Sequence, residues 1–216
     1  MGEQWHVLGR EEGRVVLKPG VAGFTLVELL VGVTIVAVLL ALGAPAMGTY
    51  LQNSKLGNAA ASYYGGIQAA RSEAIRRNVL TQFVLTDTPL STADLANAVA
   101  PSTSGRNWVV RAASGPGNFI RLDAKDASEG EGSAAAAAIE VTGAASGIVF
   151  DGTVSFNGFG RTTAGESYTV DIKNPMAGVC KVDGGEIRCR RITVSAGGQI
   201  AACDPAASAA GDSRAC

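Results

Sequence analysis

The stretch GVAGFTLVELLVGVTIVAVLLALGAPAMG, residues 20–48, decides how the rest of the chain is read. From Leu29 to Met47 it runs 19 residues without a charge. As an α-helix such a run extends about 28 Å, close to the hydrocarbon thickness of a bilayer. Glu28 stands at its start and is the only formal charge between Lys18 and Lys55. A carboxylate in an apolar membrane segment costs about 3 kcal/mol and marks a function or a buried partner. A secretory signal peptide is one reading, with Ala44-Pro45-Ala46 as its small-residue cleavage site and a secreted β-domain as product. A plain single-pass anchor is another. Neither gives Glu28 a role.

The third reading is a resemblance. GFTLVELLV (23–31) resembles the type III signal of type IV pilins and type II secretion pseudopilins. The resemblance implies that residues 1–23 are a leader, that prepilin peptidase cuts between Gly23 and Phe24, and that the new Phe24 amine is methylated. It implies further that Glu28, the fifth residue of the mature chain, meets the Phe amine of a neighbouring subunit during assembly, and that Pro45 is the helix-kinking proline of the family. Physical chemistry agrees with that role for Glu28. An ammonium and a carboxylate brought together in low dielectric offset much of each other's desolvation.

Composition limits the rest. A chain of 216 residues holds one ordinary domain plus extras. The net charge is −1, with or without the leader, so no global charge calls for nucleic acid. The only histidine, His6, precedes the apolar run, leaving nothing beyond it for a Ser-His-Asp triad, a Cys-His pair or a zinc–histidine site. GFGRTTAG (158–165) fits neither a dinucleotide nor a Walker phosphate loop, and Arg161 in it is expected to satisfy loop carbonyls or an acid. We expect no enzyme, no catalytic residue, no metal and no cofactor.

After Pro45 the pattern turns amphipathic. Leu56, Ala60, Tyr63, Ile67, Ala70 and Ala74 follow at alternating gaps of four and three, one stripe that should face a sheet. Asn78 closes the helix, and Gly65-Gly66 is its weak point, at about 1 kcal/mol per glycine relative to alanine. Arg71, Arg76 and Arg77 are read as a solvated helix end favoured by the dipole.

From Val79 the period becomes that of short strands: 79–86, 107–112, 118–122, 139–142, 147–150, 153–156, 167–172, 178–182 and 186–195. Asp151-Gly152 is expected to form a hairpin turn. STADLANAV (91–99) is expected as a short helix, and residues 124–138 as a low-complexity surface loop. The fold class is therefore α+β, a long N-terminal helix packed on antiparallel β-sheet, and the resemblance implies that it is pilin-like. Its parts are the leader (1–23), a transmembrane or filament-core half (24–47), an amphipathic half (48–78) and a periplasmic β-rich domain (79–216).

All four cysteines, Cys180, Cys189, Cys203 and Cys216, lie in the last 37 residues, with gaps of eight, thirteen and twelve that do not suit zinc. An even number beyond a membrane segment suggests two disulfides. If Gly184-Gly185 is a two-residue turn, Cys180 faces Cys189, and Cys203 is left for Cys216. Asp183 would then face Glu186, a mild repulsion that leaves a longer turn open. A bulge at Arg190-Arg191 would return Ile187/Cys189 and Ile192/Val194 to one face.

QAARSEAIRRN (68–78), IVFDGTVSFNGFGRT (148–162) and CRRITVSAGGQIAACDP (189–205) resemble the FimT/GspH family of minor pilins and pseudopilins. The resemblance implies a structural subunit of a type IV pilus or a type II secretion pseudopilus, with other pilins, prepilin peptidase and the bacterial inner membrane as partners. DNA binding for uptake is the alternative. DNA-binding FimT proteins carry a G-R-x-R-type stretch where this chain reads Gly197-Gly198-Gln199-Ile200. Lys181, Arg188, Arg190 and Arg191 cluster nearby as a DNA or partner contact, and residues 173–216 carry six bases against four acids.

Overall fold

A computed structural model describes residues 23–91, 96–126, 140–208 and 211–216, without the side chains of 42–46. Residues 1–22 of the leader, residues 92–95 within the 91–99 segment, residues 127–139 and residues 209–210 lie outside the described residues.

Helix α1 runs Leu26–Arg77. Thr25 starts it, its hydroxyl accepting the Glu28 backbone N–H at 3.1 Å and its carbonyl that of Leu29 at 3.1 Å. Thr25-x-x-Glu28 has the form of a capping box, in which a hydroxyl satisfies one of the donors a helix start leaves open. Asn78 ends the helix in the left-handed conformation, φ 52°, one of the few non-glycine residues able to do so cheaply. The helix crosses a division into two compact units, 1–44 and 45–216.

In the first unit every described side chain from Phe24 to Ala41 is exposed. Among the described residues no helix is long and apolar enough to cross a membrane. Pro45 lies within the helix, and its side chain belongs to the undescribed stretch.

Among the described residues the second unit carries eight strands in two four-stranded antiparallel sheets. The first has the order β3-β2-β1-β5, with β1 Thr81–Thr86, β2 Asn107–Gly115, β3 Asn118–Lys125 and β5 Thr153–Phe156. The second has the order β4-β6-β7-β8, with β4 Glu140–Ala145, β6 Tyr168–Lys173, β7 Arg190–Val194 and β8 Ile200–Cys203. Leu56, Ala60, Tyr63, Ile67, Ala70 and Ala74 are all buried, at 5% exposure or less. They share one core with Phe83 and Leu85 of β1, Val170 and Ile172 of β6, and Ile192 and Val194 of β7. Val84, Val99 and Val109 form a smaller cluster on the other face of β1, which explains why that strand is buried almost throughout.

Gly65 and Gly66 differ. A methyl on Gly65 would meet nothing within 4 Å, whereas one on Gly66 would lie 2.9 Å from Phe83 and 3.1 Å from Trp108. Gly66 is therefore where the two rings, 5.8 Å apart, close on the helix.

Several local expectations are corrected. Residues 147–150 form no strand, and Asp151-Gly152 is not a hairpin turn: β5 pairs with β1, and Asp151 caps its start by accepting the Thr153 N–H at 2.8 Å. A two-residue hairpin turn lies instead at Pro116-Gly117, between β2 and β3, with Gly117 at φ 71°. Strand β3 extends to Lys125, so the loop expected from 124 starts later. Of the short helix expected over 91–99, residues 92–95 lie outside the described residues, and residues 91 and 96–99 are turn, bend or irregular. Gly184-Gly185 is not a two-residue hairpin turn. Lys181–Asp183 forms one turn of 3-10 helix, and Cys180 bridges Ile187 in parallel rather than facing Cys189 in a ladder. Because Ile187 and Cys189 precede β7, no bulge at Arg190-Arg191 is needed. Strand β8 was unforeseen, its sequence IAAC carrying little β signal.

Candidate functional site

Two regions carry the residues singled out from the sequence. The first is the helix start. Glu28 is exposed in the first turn, where the positive end of the helix dipole favours a carboxylate. Its carboxylate forms no ion pair among the described residues. In the uncut chain the Phe24 nitrogen is an amide, so the ammonium that Glu28 is expected to meet does not yet exist. Phe24 is 84% exposed, and Val27, Leu30 and Val31 beside Glu28 are likewise uncovered. The capping role of Thr25-x-x-Glu28 is a signal the sequence reading missed, and it concerns the Glu28 backbone, leaving the carboxylate available.

The second region is the C-terminal sheet and the tail that follows it. Arg191 on β7 stands opposite Asp171 on β6 and binds it through two hydrogen bonds, 2.6 and 3.0 Å, which raise the Arg191 pKa. Arg188 and Arg190 both donate to Oδ2 of Asp204, at 3.0 and 3.3 Å. Asp204 is fully buried, and its Oδ1 accepts the Ala206 N–H at 3.0 Å. A buried carboxylate needs this many donors. The Asp204 backbone N–H donates to the Arg214 carbonyl at 2.7 Å, and Arg214 in turn holds Asp212, whose pKa is pulled down to about 2 by the guanidinium hydrogen bonds. Disulfides join Cys180 to Cys189, with Cα atoms 5.5 Å apart, and Cys203 to Cys216, at 5.1 Å. The tail after β8 is thus fastened by a carboxylate, a backbone bond and a disulfide. Sequence reasoning did not identify Asp204 or Asp171 as the partners, because the pairs are 14 to 20 residues apart and depend on strand register.

The three arginines of the expected basic cluster are therefore brought together with acids of their own chain. Lys181 is exposed on the 3-10 turn, with no ion pair among the described residues. Arg161 is exposed and likewise without one. The carbonyl of that loop is met instead by Arg71, whose Nε donates to Gly160 O at 3.0 Å. Arg76 and Arg77 share Glu73 on the helix. Among the described residues no group of His, Cys, Asp and Glu could hold a metal ion.

A helix apolar all round at its start, amphipathic after it and packed on antiparallel sheets beneath a Gly-Phe-x-x-x-Glu signal defines a pilin-type subunit. Residues 18–44 match the prokaryotic N-terminal methylation motif, and residues 59–198 match the model of the type II transport protein GspH. The second match covers well over half of the chain, which belongs to the GspH family. It is a minor pilin or pseudopilin, a structural subunit in pilus or secretion assembly. Among solved structures it is similar to the type IV minor pilin FimU of Pseudomonas aeruginosa strain PAO1, at 17% identity over 70% of this chain and 90% of that one, with a TM-score of 0.47. It is also similar to the minor pseudopilin EpsH of the Vibrio cholerae type 2 secretion system, at 12% identity over 70% and 98%, with a TM-score of 0.44. No curated protein matches the chain.

Proposed function

We propose that the chain is held in the bacterial inner membrane as a single-pass precursor with its β-rich unit in the periplasm. Prepilin peptidase cuts it between Gly23 and Phe24, and it then joins other pilins or pseudopilins in a filament through Glu28 and the Phe24 amine of a neighbour. The observation that carries this reading is the exposed carboxylate of Glu28 in an otherwise apolar helix start that covers no core. Pro45 would loosen the helix where the apolar half meets the packed half, by removing one backbone hydrogen bond. The two disulfides suit an oxidising periplasm. A DNA-uptake role has less support, since Arg188, Arg190 and Arg191 already hold Asp204 and Asp171.

Glu28→Ala in the cell is expected to leave insertion and cleavage intact and to lower recovery in sheared filaments by at least about tenfold, since an amine left unpaired in low dielectric costs several kcal/mol. Wild-type recovery of the mutant would reject the reading.

A further inference from the structure

Beside β5 the second unit holds a cavity of about 150 Å³, with Gln82, Asp151, Thr153, Ser155 and Tyr168 as its polar lining. A volume of this size takes about five water-sized groups, so it suits one small ligand or a single side chain. Tyr168 is the unusual member. It is 4% exposed, and its ring stands edge-on to Phe150 in the main core, with centroids 6.0 Å apart. A buried tyrosine ordinarily finds a partner for its hydroxyl. This one has none among the described residues. Nor is it sealed: among the described residues the only polar side-chain atom both sealed and unpartnered is the Thr81 hydroxyl. The Tyr168 hydroxyl therefore opens onto the cavity that its side chain lines.

The other polar groups are held in place by the sheet. Arg111 Nε donates to Gln82 Oε1 at 2.9 Å, and Gln82 Nε2 donates to Ser155 Oγ at 3.1 Å, a row that crosses β2, β1 and β5. A hydroxyl oxygen has two lone pairs, so Ser155 keeps one for a further donor. Asp151 Oδ1 accepts the Thr153 N–H at 2.8 Å, and its Oδ2 has no partner among the described residues.

Charge narrows the ligand. Burial raises the Tyr168 pKa, and the carboxylates of Asp151 and Glu166 raise it further, so both acids lie within electrostatic reach of the hydroxyl. Glu166 accepts the Ser146 hydroxyl at 2.9 Å and, like Asp151, has no ion pair among the described residues. Arg111 is a base within reach of Asp151. It stands on β2, separated from β5 by β1, and is already committed to the Ala96 carbonyl at 2.8 Å and to the Phe119 ring at 4.4 Å. Two unpaired acids and one committed base disfavour an anion. Among the described residues no set of His, Cys, Asp and Glu suits a metal ion. One carboxylate oxygen with two hydroxyls suits a monocation that carries several N–H donors. Ile148, Val149 and Phe150 complete the lining with an apolar wall.

We infer that this cavity binds an alkylammonium group. The ammonium donates to Asp151 Oδ2 and to the hydroxyls of Tyr168 and Ser155, while its methylene stem lies along Ile148 and Val149. An n-butylammonium ion, four carbons and a nitrogen, matches the roughly five groups the space accepts. A free amine or a lysine side chain of a partner protein supplies the same chemistry.

The test is a titration of the full chain in detergent micelles with n-butylammonium chloride, followed by NMR of its backbone amides and isotope-labelled tyrosine rings. The Tyr168 ring signals are expected to shift saturably, and equal concentrations of potassium chloride or n-butanol should not shift them. Asp151→Asn keeps an oxygen to cap Thr153 and should weaken binding at least about tenfold, by loss of a charge-assisted hydrogen bond. Tyr168→Phe keeps the ring and should weaken binding about three- to tenfold. The absence of a saturable shift, an equal shift with n-butanol, or unchanged affinity in Asp151→Asn overturns the inference. Carbodiimide treatment of cells that carry the chain separates the two sources. An amide joining Asp151 to a lysine of another protein identifies a side chain as the occupant, and butylammonium binding without that amide identifies a free amine.

Discussion

The two halves of one helix put their apolar residues to different uses. From Leu56 to Ala74 the apolar side chains form a single stripe, every member of it buried under the sheets. From Leu26 to Ala41 they point in all directions, and all are exposed, Leu39 at 64% and Leu40 at 67%. A helix apolar all round has no core to build within its own chain, so its environment must come from lipid or from other helices. The first half is therefore built for partners, and the second for the fold.

Substitutions in the two halves should separate in the same way when unfolding by urea is followed in the segment 48–216, or by incorporation where the first half is concerned. Ile67→Ala is expected to cost the most stability, about 2–5 kcal/mol, because the buried side chain leaves a cavity between helix and sheet. Gly66→Ala should cost about 1–2 kcal/mol, since the methyl must displace the Phe83 and Trp108 rings. Gly65→Ala, one residue away, should instead stabilise by about 1 kcal/mol through helix propensity alone. Equal effects at the two glycines would break the assignment of Gly66 to close packing. Leu30→Ala in the full chain should leave the unfolding of the β-rich unit unchanged within about 0.5 kcal/mol. The smallest effect lies away from the helix. The Asp212 carboxyl, with its pKa lowered, contributes its clamp fully above the ordinary carboxylate range and loses it only as pH falls through about 2. An NMR titration should place its midpoint there, and a midpoint at the ordinary aspartate value of 3.8 would show that the Arg214 pair does not persist.

What the sequence reveals follows the same division. The buried stripe was legible residue by residue because helical spacing alone determines it, and so was the closing Asn78. The fold class followed from the change of period after it. Strand pairing was not legible at the turns. Asp151-Gly152 and Gly184-Gly185 are good hairpin dipeptides by propensity, but tertiary contacts decide otherwise: Gly152 lies against the Ser102 backbone and Gly185 against that of Val179. The arginine cluster was visible as a composition, yet its partners were not, because Asp171 and Asp204 are matched to it by register and by the path of the tail. The Glu28 signal was legible as a spacing from Gly23, whereas its use of Thr25 as a cap was overlooked beside the larger anomaly of a charge.

The proposed role of Glu28 requires that the apolar half be released from its leader before it serves as an assembly surface. The mass and N-terminal sequence of the mature chain purified from its host test that release directly. We predict a chain beginning at Phe24 with a methylated amine. A chain beginning at Met47, with the apolar half removed, would contradict it.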